Sequence, residues 1–178
     1  EQYVNEMFGT YRTRYPDYTL DTKATTPMKR RYEDAFNDPN LKDRAKDIER
    51  DRLLSENSVM KAEHEKRYQQ LLGALLWPAR NTRPEIAFAV GVAGQFAHSP
   101  RTVHLRALEH ILSYVVNTKH KGIVVDCRES PGRTSMSVFT DADHAGCQDT
   151  RKSRKGVVVF MNTAPISWLS RKQTLLTN

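Results

Sequence analysis

The chain has 178 residues, 38% of them hydrophobic, with 28 basic and 21 acidic side chains, a formal net charge of +7 and a mean hydropathy of −0.67. That length allows one domain or one domain with appendages, but the apolar share falls below the roughly 45–50% of a fully packed domain, so part of the chain is expected to be solvated or unpaired. No stretch approaches the roughly 18 consecutive apolar residues of a membrane span, the first fifteen residues carry no apolar signal core, and Cys127 and Cys147 form neither a metal-type pair nor a staple; no membrane partner and an intracellular, reducing location are expected.

In chain order, Val4, Met7, Phe8 and Tyr11 recur at helical spacing and predict a short amphipathic helix ending near Arg14-Tyr15-Pro16. Thr25-Thr26-Pro27-Met28 reads as extended chain, because the residue before a proline is pushed out of the helical region. Residues 29–66 are dense in both charge signs, with a turn signal at Asp38-Pro39-Asn40. Residues 41–54 fit either a solvated helix with Glu/Lys-type pairs or a disordered linker.

Tyr68, Leu71, Leu72, Leu75 and Leu76 then mark an apolar helical face that Pro78 is expected to stop or kink. Pro84 with Glu85 gives start signals for an apolar helix over residues 85–97. Ser99-Pro100 gives a cap for a third helix with Leu105, Leu108, Ile111, Leu112 and Val115 on its buried side. After Lys119 the apolar period changes from 3.6 to 2. Residues 123–126, 136–140, 157–161 and 166–169 read as short strands, the last two joined by Asn162-Thr163-Ala164 as a hairpin. Helices followed by strands imply an α+β class or two units in series.

Charge is distributed unevenly along this order. Residues 1–66 carry 13 basic and 14 acidic side chains, net −1, whereas residues 67–178 carry 15 and 7, net +8. A one-sided excess of this kind fits a polyanionic partner, since neutralising phosphates releases condensed counterions; a solvated basic surface gives the same arithmetic.

Two segments could carry chemistry. Thr140-Asp141-Ala142-Asp143 ends an apolar strand, and alternation puts Asp141 and Asp143 on one face, where carboxylates could hold Mg²⁺ with its preference for oxygen ligands. Two such ions about 3.5–4 Å apart can activate water for phosphodiester cleavage. Acids after a strand also serve simply as turn formers. Arg151, Lys152, Arg154 and Lys155 lie immediately before the next strand, where they would suit phosphates or be solvated in a hairpin loop. Histidines 98, 104, 110, 120 and 144 have no metal-ligand spacing, and no Gly-rich phosphate loop or nucleophile triad stands out.

Read together, Tyr68-Gln-Gln-Leu-Leu-Gly-Ala-Leu-Leu, Asn81-Thr-Arg-Pro-Glu-Ile-Ala-Phe-Ala-Val and His104-Leu-Arg-Ala-Leu-Glu-His-Ile-Leu-Ser-Tyr resemble the region after the reverse transcriptase core in copia-type LTR retrotransposon polyproteins. The resemblance continues through Thr140-Asp-Ala-Asp-His-Ala-Gly and Arg151-Lys-Ser-Arg-Lys-Gly to Pro165-Ile-Ser-Trp-Leu-Ser-Arg-Lys-Gln, about 110 residues in all, and more weakly over the first 28. It implies a thumb-like remnant at 1–28, a charged linker at 29–66, a helical connection at 67–120, and at 121–178 the first antiparallel strands of an incomplete ribonuclease H-like fold.

It also implies an RNA–DNA hybrid and the rest of the Pol polyprotein as partners. Asp141 would be the first acid of the ribonuclease H site, Mg²⁺ the cofactor of an intact site, and a cytoplasmic particle or the nucleus the location. The family's polymerase metal motif and its remaining ribonuclease H acids have no counterpart in these 178 residues, so the chain alone is expected to be inactive. A non-catalytic nucleic-acid-binding module and a degenerate pseudogene product are the alternatives. Departures from the family pattern are His144 and Leu105, each where Trp is usual, Trp77-Pro78 where Tyr-Leu is usual, and the long charged linker.

Overall fold

The structure, a computed structural model, describes residues 1–28, 44–125, 134–143 and 152–174. In chain order they form α1 (Gln2–Arg14), α2 (Arg44–Glu56), α3 (Ser58–Asn81), α4 (Ala87–Ala93) between the 3-10 turns Pro84–Ile86 and Gly94–Phe96, α5 (Thr102–Asn117), and strands β1 (Met136–Ala142), β2 (Arg154–Met161) and β3 (Ala164–Lys172). The class is α+β, with a helical layer followed by one antiparallel sheet in the order β1-β2-β3.

The apolar stripes of α1, α3, α4 and α5 meet in one core. Tyr68, Leu71 and Leu75 of α3 lie against Val90 and Ala93 of α4 and Leu108, Ile111 and Val115 of α5, while Val4, Met7 and Tyr11 of α1 close the same cluster. Residues 1–28 thus share a core with the helices that follow the charged segment. Within that segment the helical alternative holds: α2 is helical and carries an Arg52 pair with Glu49 and Glu56, at 2.7 and 3.0 Å. Its Asp51 accepts hydrogen bonds from the Thr102 N–H and hydroxyl, both at 2.8 Å, and so caps α5 from outside. The expected cap, Ser99, lies ahead of the helix, whose N-cap position is Arg101.

Several other expectations change. Pro78 does not stop α3, which runs on to Asn81. A proline inside a helix removes the donor to the carbonyl four residues earlier, here that of Ala74, and the Tyr3 hydroxyl of α1 donates to that oxygen at 2.8 Å. α3 also begins at Ser58, nine residues before the predicted resumption of order, because Asn57 accepts from the Val59 and Met60 N–H groups at 3.1 Å. The helix expected over 85–97 is α4 alone, flanked by tighter turns. Residues 123–125 form no strand, and Asp126 and the turn signal at Asp38-Pro39-Asn40 lie outside the described residues.

In the sheet, β2 and β3 join through Asn162 and Thr163 as the sequence predicts. Asn162 sits at φ 53°, a region in which asparagine is among the few tolerant side chains, and its carboxamide oxygen accepts from the Ser135 N–H at 2.9 Å. A bulge between Val159 and Phe160 shifts the register of β3 by one residue, next to Pro165, which cannot donate to the ladder. One face of the sheet, carrying Arg154, Trp168 and Lys172, turns to the helices: the Trp168 indole N–H donates to the Ala79 carbonyl at 2.6 Å and Lys172 Nζ donates to Gln95 at 3.1 Å. The opposite face, with Met136, Val138, Val157, Val159, Met161 and Leu169, is open, and β1 is exposed along its whole length.

The helical layer is bolted at Arg67. Its guanidinium donates to Tyr11 Oη at 2.8 Å, to Asp17 at 2.7 and 3.0 Å and to Glu109 at 2.6 Å, and it lies 4.5 Å from the Tyr15 ring centre. Burial opposes the charge, but the bonds to Asp17 and Tyr11 and the attraction of Glu109 outweigh it, so the arginine is held more firmly protonated than usual. Burial and Glu109 push the Tyr11 phenol up, which keeps it a donor to Glu109 at 2.7 Å. Removing one partner of such a buried pair typically costs about 3–5 kcal/mol. Arg67→Met is expected to lose stability in that range by denaturant unfolding, and Arg67→Met with Glu109→Gln to recover part of it.

His64 and His104 lie buried at the junction of α2, α3 and α5. His104 stacks on Phe96 with ring centres 3.8 Å apart, and His64 Nε2 has no partner among the described residues. Burial, and for His104 the Arg101 cation, lowers both pKa values, that of His104 to about 4. The folded state therefore holds both rings neutral, whereas the unfolded chain takes up protons near pH 6.5. Stability is full above about pH 6.5 and is expected to fall as pH drops towards 4. Melting temperatures measured across that window check this, and His104→Gln is expected to flatten the slope.

Candidate nucleic-acid interface

The end of the sheet that gathers charge is built by the antiparallel register. Asp141, the next-to-last residue of β1, stands opposite Gly156; Ala142 stands opposite Lys155; and β2 continues the row to β3 by pairing Lys155 with Arg171 and Arg154 with Lys172. Because paired residues share a face, Lys155 and Arg171 lie side by side on the open face, and Arg154 and Lys172 on the face towards the helices. Like charges placed directly opposite destabilise a ladder. Residues 151–178 hold six Lys or Arg and no Asp or Glu, so no acid within that segment offsets them.

The individual side chains differ in how they are held. Lys152 Nζ donates to the Thr174 carbonyl at 2.6 Å. Arg154 places its guanidinium carbon 5.0 Å from the Phe88 ring centre, a cation–π contact that carries β2 onto α4. At the same point Gly91 of α4 passes so near that a Cβ there would lie 3.3 Å from both Arg154 Nη1 and the Ser170 carbonyl oxygen, which makes glycine the residue that lets helix and sheet touch. Lys155 is exposed. Arg151 lies outside the described residues, as do Cys127, His144 and Cys147.

The two acids are not equivalent. Asp141 lies in β1, exposed, with Oδ1 accepting the Ala142 N–H at 2.8 Å. Asp143 follows the strand rather than extending its alternation; its N–H donates to the Arg154 carbonyl at 3.0 Å and its carboxylate accepts the Arg154 N–H, so it fastens β2 to the end of β1. That role is the turn-forming one. Among the described residues no group of three or more His, Cys, Asp or Glu is placed to hold a metal ion. Two carboxylates, each already accepting a backbone N–H, do not compose a two-ion site, and the described residues by themselves do not fit Mg²⁺.

Against known proteins, the chain is 40% identical over 107 residues to the "Retrovirus-related Pol polyprotein from transposon RE1" of Arabidopsis thaliana, a match covering 60% of this chain and 7% of that protein. It is 30% identical over 105 residues to the "Putative transposon Ty5-1 protein" of Saccharomyces cerevisiae, covering 59% of this chain and 33% of that one. Over about 60% of its length the chain is a homologue of retrotransposon Pol polyproteins. It also matches the "Secreted RxLR effector protein 161" of Plasmopara viticola, 35% identical over 106 residues, 60% of this chain and 72% of the effector. The chain thus spans less than a tenth of the length of the Arabidopsis Pol relative and a third of the yeast one. No family profile matches the chain, and no solved structure does.

Arg171 and Lys172 were not among the sequence candidates. Counting back from the two-residue turn without the bulge puts Arg154 opposite Arg171, Lys155 opposite Ser170 and Lys172 opposite Ser153. The proline in β3 was the available sign of a bulge. If the opposed cations are under repulsion, Lys155→Thr is expected to raise stability by about 0.2–1 kcal/mol at low salt, a gain that high salt removes. Urea unfolding at two salt concentrations measures it.

Proposed function

We propose that the chain is the stretch of a copia-type Pol polyprotein between the polymerase thumb and the start of the ribonuclease H domain, and that it holds an RNA–DNA hybrid without cutting it. The observation that carries this reading is the pair of opposed cation pairs, Lys155 with Arg171 and Arg154 with Lys172, beside Asp141. Repulsion in an isolated sheet becomes attraction once phosphates lie between the cations. In the whole polyprotein RNA would be copied to DNA and the RNA of the hybrid cleaved with Mg²⁺, with Asp141 as one of several carboxylates. The polyprotein would work in a cytoplasmic particle and deliver its DNA to the nucleus. Within this chain, Lys152, Arg154 and Lys155 orient the backbone of the hybrid, and Asp143 keeps that basic strand end in place.

Binding of a labelled RNA–DNA hybrid to the purified chain tests the reading. Neutralising Lys152, Arg154 and Lys155 together with Gln is expected to weaken binding about tenfold or more near 0.1 M salt and to flatten the salt dependence by roughly 0.9 per lost phosphate contact. Binding is expected to survive Asp141→Asn, and no hybrid RNA is expected to be cut in Mg²⁺. Cleavage that disappears with Asp141→Asn would show instead that the chain is a catalyst.

A further inference from the structure

Between the helical layer and β3 lies a cleft of about 610 Å³, lined by Ala79 and Arg80 of α3, Gly94 just after α4, Arg154 of β2, and Trp168 and Lys172 of β3, among others. Arg80 of α3 and, on the sheet face turned to the helices, Arg154 and Lys172 bring three cations to it, and none of the described residues that line it is acidic. Apart from Ser170 and Arg171, the remaining lining residues are apolar, aromatic or glycine. The bond from the Trp168 indole to the Ala79 carbonyl fixes that ring as part of the floor. The volume is in the range of small-ligand sites, roughly 300–1,000 Å³, and is too small for a double helix to enter.

A charged rim over an apolar, aromatic floor is the combination that holds single-stranded nucleic acid, phosphates on the cations and a base against the wall. We propose that this cleft binds a single-stranded stretch of nucleic acid, next to the sheet end that takes the hybrid. The proposal rests on the nucleic-acid reading above but on a different set of residues. Arg80 comes from α3, far from the strand end in sequence. Arg154 borders both surfaces, so a strand leaving the hybrid at β2 meets the cleft without a gap. Poly-glutamate could satisfy the cations but carries no ring to stack on Trp168.

Two variants probe the cleft and spare the sheet end. Arg80→Glu reverses an exposed charge. Gly94→Leu fills the cleft without altering charge: Gly94 sits at φ −56°, ψ −23°, which any side chain adopts, and a Cβ there meets nothing within 4 Å. Fluorescence anisotropy would be measured with an oligo(dT) of about 12 nucleotides and with a blunt RNA–DNA hybrid of similar length. Each variant is expected to weaken oligo(dT) binding about tenfold and to leave the blunt hybrid unchanged. Arg80→Glu should also lower the salt slope by about 0.7 or more, and Gly94→Leu should leave the slope unaltered. Undiminished oligo(dT) binding in either variant would overturn the proposal. So would an equal loss for both probes, or competition by poly-glutamate as effective as unlabelled oligo(dT). A wild-type chain that binds oligo(dT) but not the blunt hybrid would sink the hybrid reading and leave the cleft standing.

Discussion

Everything in the helical layer turns on one cation. Arg67 gathers a phenol from α1, a carboxylate from the segment after it and a carboxylate from α5, so three stretches of chain separated by dozens of residues share one guanidinium. A buried arginine tolerates few arrangements, because each unpaired N–H or carboxylate there would be stranded away from water. The tyrosines around it follow from that requirement. Tyr11 and Tyr15 offer their faces to the cation, Tyr18 packs edge-on to Tyr11 at 5.3 Å, and its hydroxyl bonds Ser113 of α5 at 2.7 Å. With the layer held in this way, α4 presents Gly91 and Phe88 to the sheet, and the cleft beside Trp168 has a fixed wall.

How much of this the residues disclose depends on whether the deciding contact is local. The stripes of α3 and α5 were legible because burial at 3.6-residue spacing is written into each segment, and the β2–β3 hairpin because Asn162 tolerates the backbone its turn needs. Arg67 was not legible. It stands at the end of a run of alternating charge, where a solvated face is the ordinary reading, and its partners are 50, 56 and 42 positions away. Pro78 misled for the same reason: the rule that prolines end helices is local, and Tyr3, 71 positions from Ala74, overrides it. Trp77-Pro78, a departure from the pattern the chain resembles, is matched by that same tyrosine, whose ring lies 4.6 Å from Trp77. At the candidate interface, Lys155 and Asp141 could be found from sequence, whereas the opposition of Lys155 to Arg171 needed the bulge.

The sheet shows the opposite economy. It buries one face unevenly, leaves the other open, and places like charges across from one another, so it contributes less to its own stability than a sheet of its length could. Surfaces that bind are commonly maintained at a cost to the fold that carries them. Here that cost is confined to the three strands, which touch the helices mainly through Trp168, Arg154, Lys172 and the bare backbone at Gly91. The relatives match about 60% of the chain and differ widely in total length.

The bond between Tyr11 and Glu109 spans 98 positions. At ribosomal rates of about 5–20 residues per second, the first helix leaves the tunnel roughly 5–20 s before the carboxylate that completes its anchorage. During that interval Val4, Met7 and the tyrosine cluster have no α5 to cover them. The three strands, whose partners lie within a few dozen positions, have no comparable wait. Of the described elements, α1 therefore waits longer for its partner than the strands do for theirs.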